Sequence, residues 1–200
     1  MTAPDIRITA EPVDEDRCKF IVSQPLHAAG VRRFGSAAEA KGSPLAEAIF
    51  AIPGIAELIV SGNIVTVVKR GAAPWTAVGR TVGAAIRTAL SGEAPAVAPR
   101  EAAPAPGDED ALYEQVAALF ETRINPMVGR HGGFVELIDV QDRVVMLRMG
   151  GGCQGCGMAD VTLRQGIEGM LRQHVPEITG IVDITDHSAG SSPYFAAAKK

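Results

Sequence analysis

The spacing of apolar and polar positions changes several times along the chain, and each change marks an element. IRITAEP (6–12) and CKFIVSQPL (18–26) read as strands. Ser43-Pro44 is suited to start a helix, with Ser as N-cap and Pro at the first helical position. That helix is expected to run to about Ala51 and to stop at Pro53-Gly54. IAELIV and NIVTVVK are β-branched runs separated by Ser61-Gly62, a hairpin pattern. Beyond Pro74, Val78, Val82, Ile86 and Leu90 recur at helical spacing. The order β-β-α-β-β-α predicts a small sheet with helices on one face.

A second set of elements follows. Asp108-Glu109-Asp110 suits a helix N-terminus, and Leu112, Val116, Leu119 and Phe120 give that helix one apolar face. Asn125-Pro126 is expected to end it. His131-Gly132-Gly133 leads into FVELIDV and RVVMLRM, two strands joined through Gln141-Asp142. From Met158 to Val175, Leu163, Ile167, Met170 and Leu171 mark another helix, with Asp160–Arg164 and Glu168–Arg172 as i,i+4 pairs. After Pro176, GIVDI makes a last strand, so the order here is α-β-β-α-β.

Between the two sets lies GEAPAVAPREAAPAPG (92–107), sixteen residues with four prolines and six alanines. Such a stretch has no apolar period and reads as a semi-rigid linker, since structureless loops of this length are uncommon inside compact folds. Charge supports the division: residues 1–91 carry 10 basic and 8 acidic side chains, whereas 108–200 carry 8 and 13. The expected class is α+β, with two small α/β-sandwich domains over 1–91 and 108–200.

Composition narrows the function. At 200 residues, 46% hydrophobic and 21% charged, the chain has enough aliphatic surface for packed cores. A net charge of −4 and 4% aromatic residues argue against a nucleic-acid binder. No run approaches the roughly 20 apolar residues of a membrane-spanning helix. The polar, acidic start resembles neither a secretory signal nor a transit peptide, so a cytoplasmic protein, or a processed mature chain, is expected. Three cysteines, two of them in CQGC, suit metal or redox chemistry in a reducing compartment better than a disulfide framework.

That chemistry centres on GGGCQGCGM. Cys153 and Cys156 form a C-x-x-C between a strand and a helix, which lets two sulfurs point at one centre. Positive charge at a helix N-terminus favours thiolates, the metal-binding form. The flanking glycines let backbone approach a bulky inorganic group. Soft thiolates select zinc, Cu(I) or iron–sulfur clusters. A [4Fe–4S] cluster typically takes four thiolates, and this domain supplies two. Cys18 alone could not complete the set, so a two-fold dimer sharing one cluster is the economical solution.

The run HGGFVELIDV…RVVMLRMGGGCQGCGMADVTLRQGIEGMLRQHVPEITGIVDITDH, over about residues 108–187, resembles the C-terminal NifU-type domain of Nfu proteins. CKFIV…SPLAEAIFAIPGIAELIVSGNIVTVVKR…W, over about residues 5–90, resembles the Nfu N-terminal domain. The resemblance implies an iron–sulfur carrier, not an enzyme, that takes up a [4Fe–4S] cluster and passes it to apo-proteins. It implies Cys153 and Cys156 as the ligands in each protomer, a homodimer when cluster-bound, and an upstream assembly machinery as partner. The acidic lead before Lys19-Phe20, with Cys18 adjacent, departs from the family's usual Pro/Asn-rich lead. The N-terminal domain is assigned client or assembly-partner contact.

Other readings of the same residues are a structural zinc site and a dithiol oxidoreductase, although no Trp precedes the pair and no Pro separates its cysteines. Cys18 is expected to be a strand residue packed as a small hydrophobe. His131 is expected to bond a backbone group, and His174 and His187 to lie at the surface or a helix end. Met146, Met149, Met158 and Met170 are expected to fill core gaps. No P-loop pattern, Ser/His/Asp triad or paired-carboxylate signature is present.

Overall fold

A computed structural model of the chain describes residues 6–92, 94–99, 108–130, 132–151 and 157–186. The chain divides into two compact units, residues 1–102 and 103–200, both of the α+β class.

The first unit is a five-stranded antiparallel sheet in the order β1-β2-β5-β4-β3. Its strands are β1 (Ile8–Pro12), β2 (Arg17–Val22), β3 (His27–Phe34), β4 (Ile55–Gly62) and β5 (Ile64–Lys69). Helices α1 (Pro44–Phe50) and α2 (Trp75–Ser91) share one face of it. Alternation places Cys18, Phe20 and Val22 of β2 and Val65 and Val67 of β5 on that face. There they meet Leu45 and Ile49 of α1 and Val82 and Ile86 of α2. The expected hairpin is present, turning between Ser61 and Ile64.

Strand β3 is absent from the sequence-based expectation. Its sequence, HAAGVRRF, lacks clean alternation, and its register shifts between His27 and Val31. Its adjacent arginines are both engaged: Arg33 pairs with Glu57 on β4, and Arg32 stacks 4.5 Å over the Phe34 ring. Ser43 occupies the N-cap position of α1 but does not cap it; its Oγ accepts from the Ala98 N–H at 3.0 Å. Leu45 N–H donates to the Ala96 carbonyl, and Ala96 and Val97 are buried in the first core. Residues 96–98, expected to be spacer, are therefore packed structure of this unit.

In the second unit α3 (Asp108–Leu119) widens into one π-type turn (Phe120–Ile124) and continues as α4 (Asn125–Gly129). Asn125-Pro126 does not end the helical run. Pro126, which has no N–H to donate, follows directly on the π-type turn, whose wider hydrogen-bond spacing absorbs the missing donor. Strands β6 (Gly133–Gln141) and β7 (Val144–Gly151) form an antiparallel hairpin. Helix α5 (Gly157–His174) then carries the chain to β8 (Gly180–Asp183), which lies parallel to β7. Leu112, Val116, Leu119 and Phe120 are buried with Val135, Leu147, Met149, Ile167 and Leu171. The Glu168–Arg172 pair forms, at 2.5 Å. The Asp160 and Arg164 side chains lie outside the described residues.

Cys18 is 1% exposed, and desolvation pushes its thiol from 9.0 up to about 12. In the folded protein at pH 8 it should hold about a thousandfold less thiolate than an ordinary cysteine, and so resist alkylation until urea unfolds the chain. Because the unfolded thiol ionises first, the stability tied to this group is intact below pH 9 and lost as pH rises toward 12. Unfolding free energies of wild type should accordingly fall against those of Cys18→Ala above pH 9; parallel pH profiles would contradict this.

Candidate functional site

Cys153 and Cys156 lie outside the described residues, as do His131, Gly152 and His187. The structure describes both sides of the segment that carries the pair: β7 ends at Gly151 and α5 begins at Gly157. Opposite the end of β7 stands the start of β6, with Gly133 paired to Gly151 and Phe134 to Gly150.

Both glycine clusters have steric reasons. Gly151 has φ +63°, and a Cβ there would stand 2.8 Å from the Gly132 carbonyl oxygen and 3.2 Å from the Gly133 Cα. Gly132 is itself left-handed, with φ +74°. The two backbones touch, leaving no room for a side chain at Gly151. Gly150 is covered instead by the Phe134 ring, which a Cβ would meet at 2.2 Å. That ring is 56% exposed, so the edge of the frame presents an aromatic surface to solvent.

Two polar brackets, one half-buried and one buried, hold this end of the hairpin. Asn125 donates from Nδ2 to the Val135 carbonyl at 2.9 Å and accepts from the Val135 N–H at Oδ1 at 2.8 Å, acting as a one-residue strand partner. On the other side the Met149 N–H donates to Thr185 Oγ1 at 2.7 Å, while the Thr185 hydroxyl and N–H both donate to Asp183 Oδ1. Val135 and Met149 face each other across β6 and β7, and both are buried. Both brackets thus close on one cross-strand pair, two residues from the touching glycines. A net value of about 1 kcal/mol for each neutral bond, and more for those to the carboxylate, makes this a rigid base for the cysteine segment.

The other residues singled out in the sequence have separate places. Cys18 is buried in the first core with its Sγ against the Lys19 carbonyl, and its protonated state makes it a poor ligand. His174 is exposed at the end of α5. Met146 and Met149 are buried, and Met170 packs on the second core, as expected of gap-filling methionines; the Met158 side chain is outside the described residues. Among the described residues no group of three or more His, Cys, Asp or Glu side chains could hold a metal ion. No helix among them is long and apolar enough to cross a membrane. Sequence reasoning missed Asn125, taken as a helix stop, and Asp183 and Thr185, whose polar character inside an apolar strand end was the available signal.

Residues 6–93 match the family described as "Scaffold protein Nfu/NifU N terminal", and residues 116–182 match the "NifU-like domain". An "Fe/S biogenesis protein NfuA" of Stenotrophomonas maltophilia (strain K279a) is 53% identical over 98 residues, which cover 48% of this chain and 49% of that protein. One of Pseudomonas aeruginosa (strain LESB58) is 40% identical over 107 residues, covering 53% and 55%. The chain therefore spans about half the length of the curated relatives it matches. A solution structure of a NifU-like protein from Saccharomyces cerevisiae aligns with TM-score 0.43 and 20% identity, over 48% of this chain and 87% of that one.

Thr185→Val leaves the Met149 N–H without its acceptor and removes one of the two donors that residue 185 gives Asp183, and should cost about 1–3 kcal/mol of unfolding free energy. Thr185→Ser keeps the hydroxyl and should retain most of that stability. Hydrogen exchange at the Met149 amide should quicken in the valine variant alone; equal exchange in both would contradict the bracket.

Proposed function

We propose that this chain, whose residues 6–93 and 116–182 match the Nfu/NifU N-terminal and NifU-like family models, is an iron–sulfur cluster carrier, binding a [4Fe–4S] cluster as cargo and delivering it to apo-proteins. The observation that carries this reading is the Cys153-x-x-Cys156 pair, set between a strand and an 18-residue helix on a frame locked by touching glycines. The helix N-terminus and the glycine amides offset the negative charge of a thiolate-bound cluster. The name shared by the matched relatives, "Fe/S biogenesis protein", supports the same cargo.

Ligand number sets the assembly. Two thiolates per chain meet a four-thiolate requirement when two copies share one cluster, Cys153 and Cys156 from each. Cys18 adds nothing, being buried and protonated. Delivery then proceeds by ligand exchange without net redox change: each client thiolate forms one iron–sulfur bond as one carrier thiolate leaves. Once the carrier's cysteines are released, the bridge between the copies is gone. Such a protein is a carrier rather than an enzyme, and free thiol ligands suit a reducing compartment such as the cytoplasm. Upstream cluster-assembly machinery supplies the cargo. The first domain makes contact with clients or assembly partners.

Anaerobic reconstitution with iron and sulfide should give visible absorbance and about four irons and four sulfides per two chains. Cys153→Ser or Cys156→Ser should abolish uptake while far-UV circular dichroism stays unchanged. One zinc per dimer without colour would replace the cluster with a zinc bridge. A reversible Cys153–Cys156 disulfide with reductase activity and no iron would make the protein a thiol–disulfide enzyme.

A further inference from the structure

The first unit carries an open cleft of about 360 Å³ between β1 and α2. Phe20 forms its floor, Ile8 and Ala10 of β1 one wall, and Trp75, Arg80 and Arg87 of α2 the other. It exists because β1 is an outer strand of the sheet and α2 leaves its helix-side face partly bare: Ala10 is exposed and Ile8 only half-buried. Gly79 keeps the floor open, since a Cβ there would lie against the Phe20 ring at 3.6 Å. Phe20 and Trp75 meet edge to face, with ring centres 6.3 Å apart, so the apolar part of the cleft is aromatic.

The charge on the wall is one-sided. Arg80 donates to the Thr76 carbonyl and Arg87 to the Gly83 carbonyl, both within α2, and among the described residues neither guanidinium meets a carboxylate. In the nearby acidic turn Asp14 pairs with Arg17 and Asp16 with Lys69, while the Glu15 carbonyl accepts the Trp75 indole N–H. Two guanidiniums beside an aromatic floor, next to an outer strand of the sheet, complement an extended segment carrying both apolar and acidic side chains. We propose that this cleft docks such a segment of a partner protein, laid along β1 with its carboxylates on Arg80 and Arg87. The inference goes beyond the cargo reading and does not depend on it.

Trp75 is the single tryptophan of the chain, so the cleft reports on itself. A short peptide of alternating glutamate and valine, titrated into the full chain, should shift Trp75 emission, while its lysine–valine counterpart should not. Binding should weaken with salt, and by about tenfold or more in Arg80→Gln/Arg87→Gln. Equal binding of both peptides, binding of neither, or binding that leaves Trp75 emission and the double variant unaffected would overturn the proposal. Self-association lost in the double variant, in place of peptide binding, would make a second copy the occupant and overturn it as well. Cluster reconstitution of Arg80→Gln/Arg87→Gln should match wild type, so failure at the cleft and failure at the cysteines are read separately.

Discussion

At the open end of the β6–β7 hairpin two backbones come so close that a Cβ on Gly151 would stand 2.8 Å from the Gly132 carbonyl. The chain must leave β7 there in a left-handed conformation, and glycine alone adopts it at that distance. The direction in which the chain enters the cysteine segment is thus fixed by backbone sterics. Glycines cannot anchor themselves through side chains, so anchoring falls to their neighbours: Asn125 on Val135 from one side, and Thr185 with Asp183 on Met149 from the other. The strand end that leads into the cysteine segment is thus anchored on both sides while its own residues are glycines.

The cysteines divide by the same logic. Cys18, on β2 and buried in the first core, is desolvated and kept as a thiol. A carrier needs the opposite: thiols that ionise readily and that a client can reach. The proposed ligand pair, between a strand end and a helix N-terminus in the sequence, is set to serve that need, and Cys18 as a buried thiol would not compete for the cargo. The first unit contributes a different kind of surface, a partly bare outer strand beside a helix with two guanidiniums that meet no described carboxylate.

Much of this was legible in the sequence because the relevant signals are local. The strands β1, β2 and β4 to β8 and the helices α1, α2 and α5 follow from apolar period and turn residues. The C-x-x-C is a motif of the sequence alone, since Cys153 and Cys156 lie outside the described residues. What stayed hidden depends on distant partners. Strand β3 is held by a Glu57 pair and a ring contact that its Ala-Gly-Arg composition does not announce. Pro126 looked like a stop because the π-type turn that absorbs it has no sequence signature. Ala96 and Val97 looked like spacer because their core partners lie some fifty residues earlier. The glycine clusters were visible, but the contact between them exists only once the hairpin has formed.

The central claim is that two chains share one cluster through Cys153 and Cys156. Native mass spectrometry under anaerobic conditions tests it most directly, because it weighs chains and cargo together. The account predicts a dimer carrying the mass of one [4Fe–4S] unit, returning to lower mass as the cargo leaves. A single chain holding a complete cluster, or a dimer of the same population with and without metal, would contradict it.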